Sequence, residues 1–255
     1  MFTECAPFKY YIFEKRLMDE KIRINKYLAM CGVASRREAD KYIEEGRVTV
    51  NGAIVSNGTM VEVGDVVMLD DNMLKIIDKR VVYACYKPIG VTCTAKDPYA
   101  EKTINDVFTF EHRVTYAGRL DKDSEGLLLM TNDGTLIDRL MRGRNGHEKE
   151  YEVKVNKSLS DVFIQRIQYG VYLQELNTKT KPCKVTKTGD KSFNITLTEG
   201  LNREIRRMCQ NFDYEVTSLK RIRVANVKLG ALQPGEYREL DKEELMELVN
   251  TVMND

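Results

Sequence analysis

The stretch AGRLDKDSEGLLLMTNDG, residues 117–134, decides the architecture of this chain. Gly118 and Arg119 lead into a loop with two aspartates, a serine and a glutamate, and the apolar run Leu127–Met130 follows at once. Four apolar residues between turn signals indicate a buried strand. We therefore expect the acidic loop to lie at the end of a buried sheet, where a carboxylate can be held in a fixed place. As composition alone, such a loop is usually only a turn.

The length of the chain, 255 residues, allows one large domain or a small domain with a medium one. A region of roughly 170 residues can bury most of its apolar surface without disulfides or metals. No apolar run approaches the ~20 residues that a membrane span requires, and the N-terminus has no secretory signal pattern. We therefore expect a cytoplasmic protein with no contact to a membrane.

The cysteine and histidine content argues against metal and disulfide chemistry. Six cysteines are scattered along the chain without a C-x-x-C pair, which favours reduced thiols over disulfides or zinc. Only His112 and His147 are present, which argues against a multi-histidine metal site and against a Ser-His-Asp hydrolase. Because there is also no Walker loop and no G-x-G-x-x-G motif, we expect no cofactor and no metal.

Charge is segregated although the formal net charge is only +1. Residues 201–228 carry seven Lys/Arg against three Asp/Glu, and residues 236–255 carry two against seven. A near-neutral total can therefore hide a basic face and an acidic tail. A basic face favours a polyanionic partner.

Composition and pattern divide the chain into an N-terminal extension, 1–21, a small domain, 22–79, and a large domain, 80–255. The extension is rich in aromatic residues and has no period, so it is either upstream sequence before a start at Met18 or an ordered extension. In the small domain, Ile24, Leu28 and Cys31 form a helical stripe. Ser35 and Glu38 form a capping box for a second helix, and Asn51-Gly52 predicts a type I′ hairpin turn.

The large domain mixes strand and helix patterns without a regular βαβ repeat. Strands are predicted at 81–88, 114–117, 149–155, 184–187 and 193–198. Helices are predicted at 103–110, 134–141, 160–168, 202–211 and 241–252. This order predicts an α+β domain with a mixed, mainly antiparallel sheet.

Three further motifs accompany residues 117–134: Y-K-P-I-G-V at 86–91, K-E-Y-E-V at 149–153 and L-N-R-E-I-R-R-M at 201–208. With these motifs the chain resembles the RsuA/RluB/RluF family of pseudouridine synthases, which modify ribosomal RNA. The resemblance covers about residues 22–250. It implies a catalytic domain of the pseudouridine synthase fold that works without a cofactor.

Uridine isomerisation detaches the base from C1′ and reattaches it through C5, and one well-placed carboxylate can serve as nucleophile and base. Composition alone does not choose among Asp121, Asp123 and Glu125. The family resemblance implies that Asp121 is the catalytic residue, because it follows Gly-Arg-Leu directly.

The resemblance also implies roles for residues outside the loop. Arg206 would pair with the catalytic aspartate and keep it ionised, and Tyr151 would stack on the target base. The remaining substrate-binding residues that we expect are Arg119, Ile205, Arg207 and Lys87.

The small domain resembles the S4 RNA-binding domain in its order of motifs, R-I-N-K-Y-L, S-R-R-E-A and G-R-V-T-V-N-G. Such a module binds structured RNA mainly by contacting the RNA backbone and recognising the shape of the RNA. The RNA-binding residues that we expect are Arg23, Lys26, Arg36, Arg37 and Arg47.

The motifs resemble the RluF branch most, whose target is the 23S RNA of the large subunit. We therefore expect a monomeric enzyme that acts on 23S ribosomal RNA or a pre-ribosomal particle. Two alternatives remain open: the same chemistry on small-subunit ribosomal RNA or transfer RNA, and a non-catalytic RNA-binding protein with an S4 domain.

Overall fold

The computed structural model describes residues 21–77, 79–94, 99–141 and 146–253. Nearly all of the N-terminal extension expected at residues 1–21 lies outside these ranges. The chain folds as two compact units. The first runs as far as Val81 and includes two short segments, His112–Val114 and Asn132–Gly134, and the second takes the rest from Val82 onward.

Two short helices and two small antiparallel sheets form the first unit. Its elements are β1 (Ile22–Arg23), α1 (Ile24–Met30), α2 (Arg36–Glu44), β2 (Val48–Val50), β3 (Ala53–Ile54), β4 (Met60–Val61), β5 (Val67–Leu69) and β6 (Asn72–Met73). Strand β1 pairs with β4, and the other sheet has the order β3-β2-β5-β6. The predicted capping box is present at Ser35 and Glu38. Asn51 and Gly52 both have positive φ angles, as a type I′ turn requires.

The core of the first unit includes the helical stripe predicted from Ile24, Leu28 and Cys31. Ile24 and Leu28 are buried on α1, Cys31 is buried directly after it, and Ala39 and Ile43 are buried on α2. Valines of β2, β4 and β5 complete this cluster. The short helices are therefore held by the packing of their apolar faces.

The second unit is built around a sheet of nine described strands. Its elements are β7 (Val82–Lys87), β8 (Thr115–Ala117), β9 (Glu125–Thr131), α3 (Gly134–Met141), β10 (Lys149–Val155), α4 (Asp161–Ile167), β11 (Tyr172–Leu173), β12 (Thr178–Lys179), β13 (Lys184–Gly189), β14 (Ser192–Leu197), α5 (Glu204–Gln210), β15 (Val216–Val224), β16 (Val227–Lys228), β17 (Tyr237–Glu239) and α6 (Lys242–Met253). Strands β11 and β12 pair separately from this sheet.

The order of the main sheet is β13-β14-β10-β15-β9-β7-β17, with β16 paired to β15 and β8 paired to β9. Strands β9 and β15 run parallel, and the other pairs described in this sheet are antiparallel. The predicted α+β class with a mixed, mainly antiparallel sheet is therefore confirmed.

Helices cover the sheet with two hydrophobic clusters. One cluster joins β7 and β9 to α3 and α6 through residues such as Leu127, Leu136 and Leu248. The other joins β10 and β14 to α4 and α5 through residues such as Phe193 and Ile205. The helices described here do not include one that is long and apolar enough to cross a membrane.

Strand β15 lies at the centre of the sheet, within the basic stretch 201–228. Its Arg221 is buried, and Arg223 forms ion pairs with Glu148 at 3.0 Å and Glu150 at 2.9 Å. The expectation of a basic face is therefore wrong for these two arginines, whose charges are held within the unit. Strand β15 itself has no counterpart among the predicted strands.

The helix predicted at 103–110 is only a 3₁₀ turn, Ile104–Asp106. Beyond it, Phe108 and Phe110 both pack against Tyr237, and Phe110 also stacks on Tyr83 at a ring-centroid distance of 4.8 Å. Side chains two residues apart share a side of an extended chain but not of a helix. Residues 108–110 accordingly lie outside any helix, and both rings pack on Tyr237.

Candidate active site

The loop between β8 and β9 carries Asp121 and is held by main-chain contacts. The Ser124 N–H donates to the Asp121 carbonyl at 3.1 Å, which closes a tight turn. The Gly90 N–H donates to the Lys122 carbonyl at 2.8 Å, and the Leu120 N–H donates to Cys93 Sγ at 3.3 Å. These contacts fix the backbone on both sides of Asp121, whose side chain stays 39% exposed.

Lys87, at the end of β7, supports this loop from the protein interior. Its side chain is fully buried, and its ammonium donates to the carbonyls of Ser124 at 2.6 Å and Pro88 at 2.9 Å. Burial lowers the pKa of Lys87, and the nearby carboxylates of Asp123 and Asp121 partly offset this effect. The structure thus places Lys87 beneath the loop. The substrate-binding role expected for Lys87 would require a position open to the substrate, and its side chain does not have one.

Two arginines of the L-N-R-E-I-R-R-M motif reach the loop from helix α5. Arg203 donates to Asp123 Oδ1 at 3.2 Å and Oδ2 at 2.9 Å, and its Nη1 lies 3.8 Å from Asp121 Oδ2. Arg206 donates to the Asp123 carbonyl at 2.8 Å and to Ser124 Oγ at 3.3 Å. The expected pairing of Arg206 with Asp121 is therefore not what the structure shows: Arg206 contacts Asp123 and Ser124, and Arg203 lies near Asp121.

Burial alone would raise the pKa of Asp123. The hydrogen bonds from Arg203 and the charges of Arg206 and Arg203 outweigh this effect and hold the pKa below its usual value. The loop therefore keeps an ionised carboxylate next to Asp121.

Tyr151 and Ile205 pack on the same hydrophobic cluster from two different elements. Tyr151 lies on β10, opposite Arg221 of β15, and is partly buried; Ile205 lies on α5 and is buried. Arg221 in turn pairs in register with Gly126, the second residue of β9. Since neighbouring strands lie about 4.8 Å apart, Tyr151 is roughly 10 Å from the start of β9, across one intervening strand.

Arg221 is a structural arginine that pattern reasoning does not identify. Its Nε donates to the Leu127 carbonyl at 2.7 Å in the protein interior. Gly126 allows this close approach, because a Cβ atom there would lie 2.3 Å from the Arg221 carbonyl oxygen. The segment L-K-R-I-R-V gives no signal for a buried Arg221, because Lys220 and Arg221 are adjacent and interrupt any alternation of apolar and basic residues.

Two further ionisable side chains, Lys149 and Glu204, are buried in the second unit. The Lys149 ammonium donates to the His147 carbonyl at 3.2 Å, and the Glu204 carboxylate accepts from the Leu201 N–H at 2.9 Å. Burial lowers the pKa of Lys149 to about 8 and raises the pKa of Glu204 to about 7. Sequence reasoning missed both residues.

The other expected contact residues differ in their availability to a ligand. Arg119 is exposed, whereas Arg207 donates to the Asn202 carbonyl at 2.9 Å and forms an ion pair with Glu175. In the first unit, Arg47 is bound by Asp70 at 2.9 and 2.5 Å. Four basic residues of that unit form no ion pair with any other residue that the structure describes: Arg23, Lys26, Arg36 and Arg37.

Comparison with known proteins identifies the family. Residues 81–211, which contain the Asp121 loop, Tyr151 and Arg206, match the family model of RNA pseudouridylate synthases. The chain belongs to this family. Residues 22–67 match the S4 domain model, which confirms the expected RNA-binding module at the start of the chain.

Known pseudouridine synthases are similar to this chain over most of its length. The chain is 42% identical over 240 residues to the dual-specificity RNA pseudouridine synthase RluF of Escherichia coli K12, which covers 93% of this chain and 82% of the relative. It is 36% identical to the ribosomal large subunit pseudouridine synthase B of Bacillus subtilis, covering 89% and 95%. A solved pseudouridylate synthase structure is 29% identical, with a TM-score of 0.66, and covers 89% of this chain and all of its own.

Proposed function

We propose that this RNA pseudouridine synthase isomerises a uridine of large-subunit (23S) ribosomal RNA, with Asp121 as its catalytic carboxylate. Support for the target comes from two similar proteins, one named a ribosomal large subunit enzyme and the other belonging to the RluF branch. The N1–C1′ bond of the nucleotide breaks, the base turns and a C5–C1′ bond forms. C5 gives up one proton, and N1, released from the sugar, takes one up. The atoms balance without a cofactor or a second substrate.

The single observation that carries the assignment of Asp121 is the construction of its loop. Main-chain hydrogen bonds fix the backbone on both sides of Asp121. The Asp121 side chain is 39% exposed, and its Oδ2 lies 3.8 Å from Arg203 Nη1. Exposure leaves the oxygens open to C1′ or C6 of a nucleotide. Asp123, by contrast, is occupied by arginines.

Tyr151 and Ile205 supply the base-binding part of this proposal. A uridine removed from its stack would place its flat face against the Tyr151 ring, and Ile205 would form a second apolar wall. Arg206 orients the catalytic loop through Asp123 and Ser124. Arg119 is exposed beside the loop and is available to an RNA phosphate.

The first unit would hold the RNA outside the active site. Arg23, Lys26, Arg36 and Arg37 are available for phosphates, which suits binding through the RNA backbone. We assign residues 22–79 to the S4 domain and 80–255 to the catalytic domain. We propose that the protein acts as a monomer in the cytoplasm, where ribosomal RNA is made and assembled in bacteria.

A pseudouridine map tests this function. Wild-type protein and Asp121→Asn are incubated with transcripts of 23S and 16S ribosomal RNA and of transfer RNA, and pseudouridine is located by chemical mapping. We expect modification of 23S RNA by the wild type alone. Activity of Asp121→Asn within about tenfold of wild type, about 1.4 kcal/mol in the barrier, would remove Asp121 from the central role.

A second candidate is modification of another RNA class in addition to 23S RNA. The similarity to RluF of Escherichia coli K12, a dual-specificity RNA pseudouridine synthase, favours it. The same map decides, because a modified position in the transfer RNA or 16S transcript would establish the second substrate.

A further inference from the structure

Asp123 is the point at which the catalytic loop and helix α5 are joined. Its carboxylate accepts two hydrogen bonds from Arg203, at 3.2 and 2.9 Å, and its Oδ2 lies 3.3 Å from Arg206 Nε. Its main-chain carbonyl accepts from Arg206 at 2.8 Å. One residue thus binds two arginines of the same motif through all three of its oxygen atoms.

The carboxylate of Asp121, two residues earlier, has a different environment. Its nearest cation is Arg203 Nη1 at 3.8 Å, and within the described ranges no hydrogen bond reaches its carboxylate oxygens. Charge-assisted bidentate bonds would occupy the lone pairs that a nucleophile or base must use. Asp121 therefore lies within the field of a guanidinium without being bound by it.

The backbone of Arg203 indicates that this arrangement is specific. Arg203 precedes α5 with φ 51° and ψ 34°, in the left-handed region that residues other than glycine seldom adopt. Its bidentate bond to Asp123 accompanies this conformation. Arg206, which is only 15% exposed, is further fixed by donating to the Val216 carbonyl at 3.0 Å.

We propose that Asp123 is a positioning residue for the isomerisation: through Arg203 and Arg206 it fixes the catalytic loop on α5 and so holds the carboxylate of Asp121 in place. The inference rests on the proposed function, in which Asp121 carries the chemistry. Asp123 itself need not touch the substrate. An ordinary exposed ion pair would have little effect on either stability or rate.

Single-turnover kinetics on a 23S RNA fragment test this role. We expect Asp123→Asn to slow isomerisation at saturating RNA by roughly tenfold to a hundredfold, the effect of a small misplacement of a reacting group. RNA affinity should stay within about twofold of wild type, since binding is spread over many phosphate contacts. Asp123→Glu, which retains the charge, should recover part of the rate.

The matched control is Glu101→Gln. The Glu101 carboxylate lies 3.0 Å from the ammonium of Lys122, which belongs to the catalytic loop, and both side chains are exposed. Within the described ranges, neither residue contacts Arg203 or Arg206. This variant should keep the wild-type rate. A loss equal to that of Asp123→Asn would mean that any ion pair on the loop matters, and would overturn the specific role of Asp123.

A double variant separates positioning through Arg203 from an independent effect on the fold. The double variant Asp123→Asn/Arg203→Gln should be no slower than Asp123→Asn alone, because the two changes disrupt one interaction.

Three results would contradict the proposal: an unchanged rate in Asp123→Asn, no recovery of rate in Asp123→Glu, or losses that multiply in the double variant. Failure of the proposed function would look different, because the wild-type protein would then form no pseudouridine, or Asp121→Asn would remain active.

Discussion

Replacing Lys149 by Met should change how the stability of the second unit depends on pH. Lys149 is buried on β10, and its ammonium donates a hydrogen bond to the His147 carbonyl. Burial lowers its pKa from 10.5 to about 8. The native state therefore resists protonation of this group, whereas the unfolded chain accepts the proton at its ordinary pKa.

The direction and size of the effect follow from proton linkage. Below pH 8 both states carry the proton, and the native state bears the full cost of a buried charge. Between pH 8 and 10.5 the native state releases the proton first, so the free energy of unfolding rises with pH. The difference between 10.5 and about 8 corresponds to about 3 kcal/mol, at 1.4 kcal/mol for each tenfold change in proton affinity.

Urea denaturation at pH 7, 8, 9 and 10, followed by circular dichroism, measures this rise. We expect the wild type to gain up to about 3 kcal/mol relative to Lys149→Met across this range. Lys154→Met, an exposed position on the same strand, is the matched control and should follow the wild type. If Lys149→Met runs parallel to the wild type at every pH, the ammonium is not desolvated in the native state and our reasoning is wrong.

Three other predictions concern the sheet, the base-binding wall and the first unit. Gly126→Ala should destabilise the second unit by about 3 kcal/mol or more in urea titrations, because its Cβ would lie 2.3 Å from the Arg221 carbonyl oxygen. The control is Gly90→Ala, where φ is 86° and a Cβ would meet open space; it should cost only about 1 kcal/mol. Tyr151→Phe should retain more single-turnover activity than Tyr151→Ala, and equal losses would favour a role for the hydroxyl over stacking. Arg36→Ala/Arg37→Ala should reduce the slope of log K for RNA binding against log salt concentration by about 1.4 to 1.8. Arg47→Ala should leave the slope unchanged, because Asp70 already binds Arg47. A reduced slope in Arg47→Ala with an unchanged slope in the double variant would contradict the structural assignment of these residues.

Local signals predicted the helices and strands whose boundaries are written in neighbouring residues. The helix at 134–141 and the strand at 149–155 have the predicted bounds, because a turn begins the former and a period-two alternation runs through the latter. The capping box at Ser35 and Glu38 is equally local. The motif at 117–134 likewise predicted a loop followed by a buried strand, and the structure has β9 at that place.

Charged residues of the interior marked the limit of this reasoning. Lys87, Lys149 and Arg221 are buried, although hydropathy assigns each of them to the surface. Lys87 and Arg221 donate to carbonyls of residues distant in the chain, Ser124 for Lys87 and Leu127 for Arg221. Strand β15 was missed for the same reason, since its basic residues conceal the alternation of a central strand.

The sequence by itself determined the family, the α+β class and the identity of the loop that carries Asp121, because these depend on the order of residues within short motifs. Only the tertiary structure decided which arginine contacts which carboxylate. Asp123 lies 80 positions from Arg203 and 83 from Arg206, and the folded structure brings the two segments together. Hydrogen bonds of this kind are sensitive to differences of a few tenths of an ångström between donor and acceptor. The packed sheet sets these distances, and the spacing of residues along the chain does not encode them.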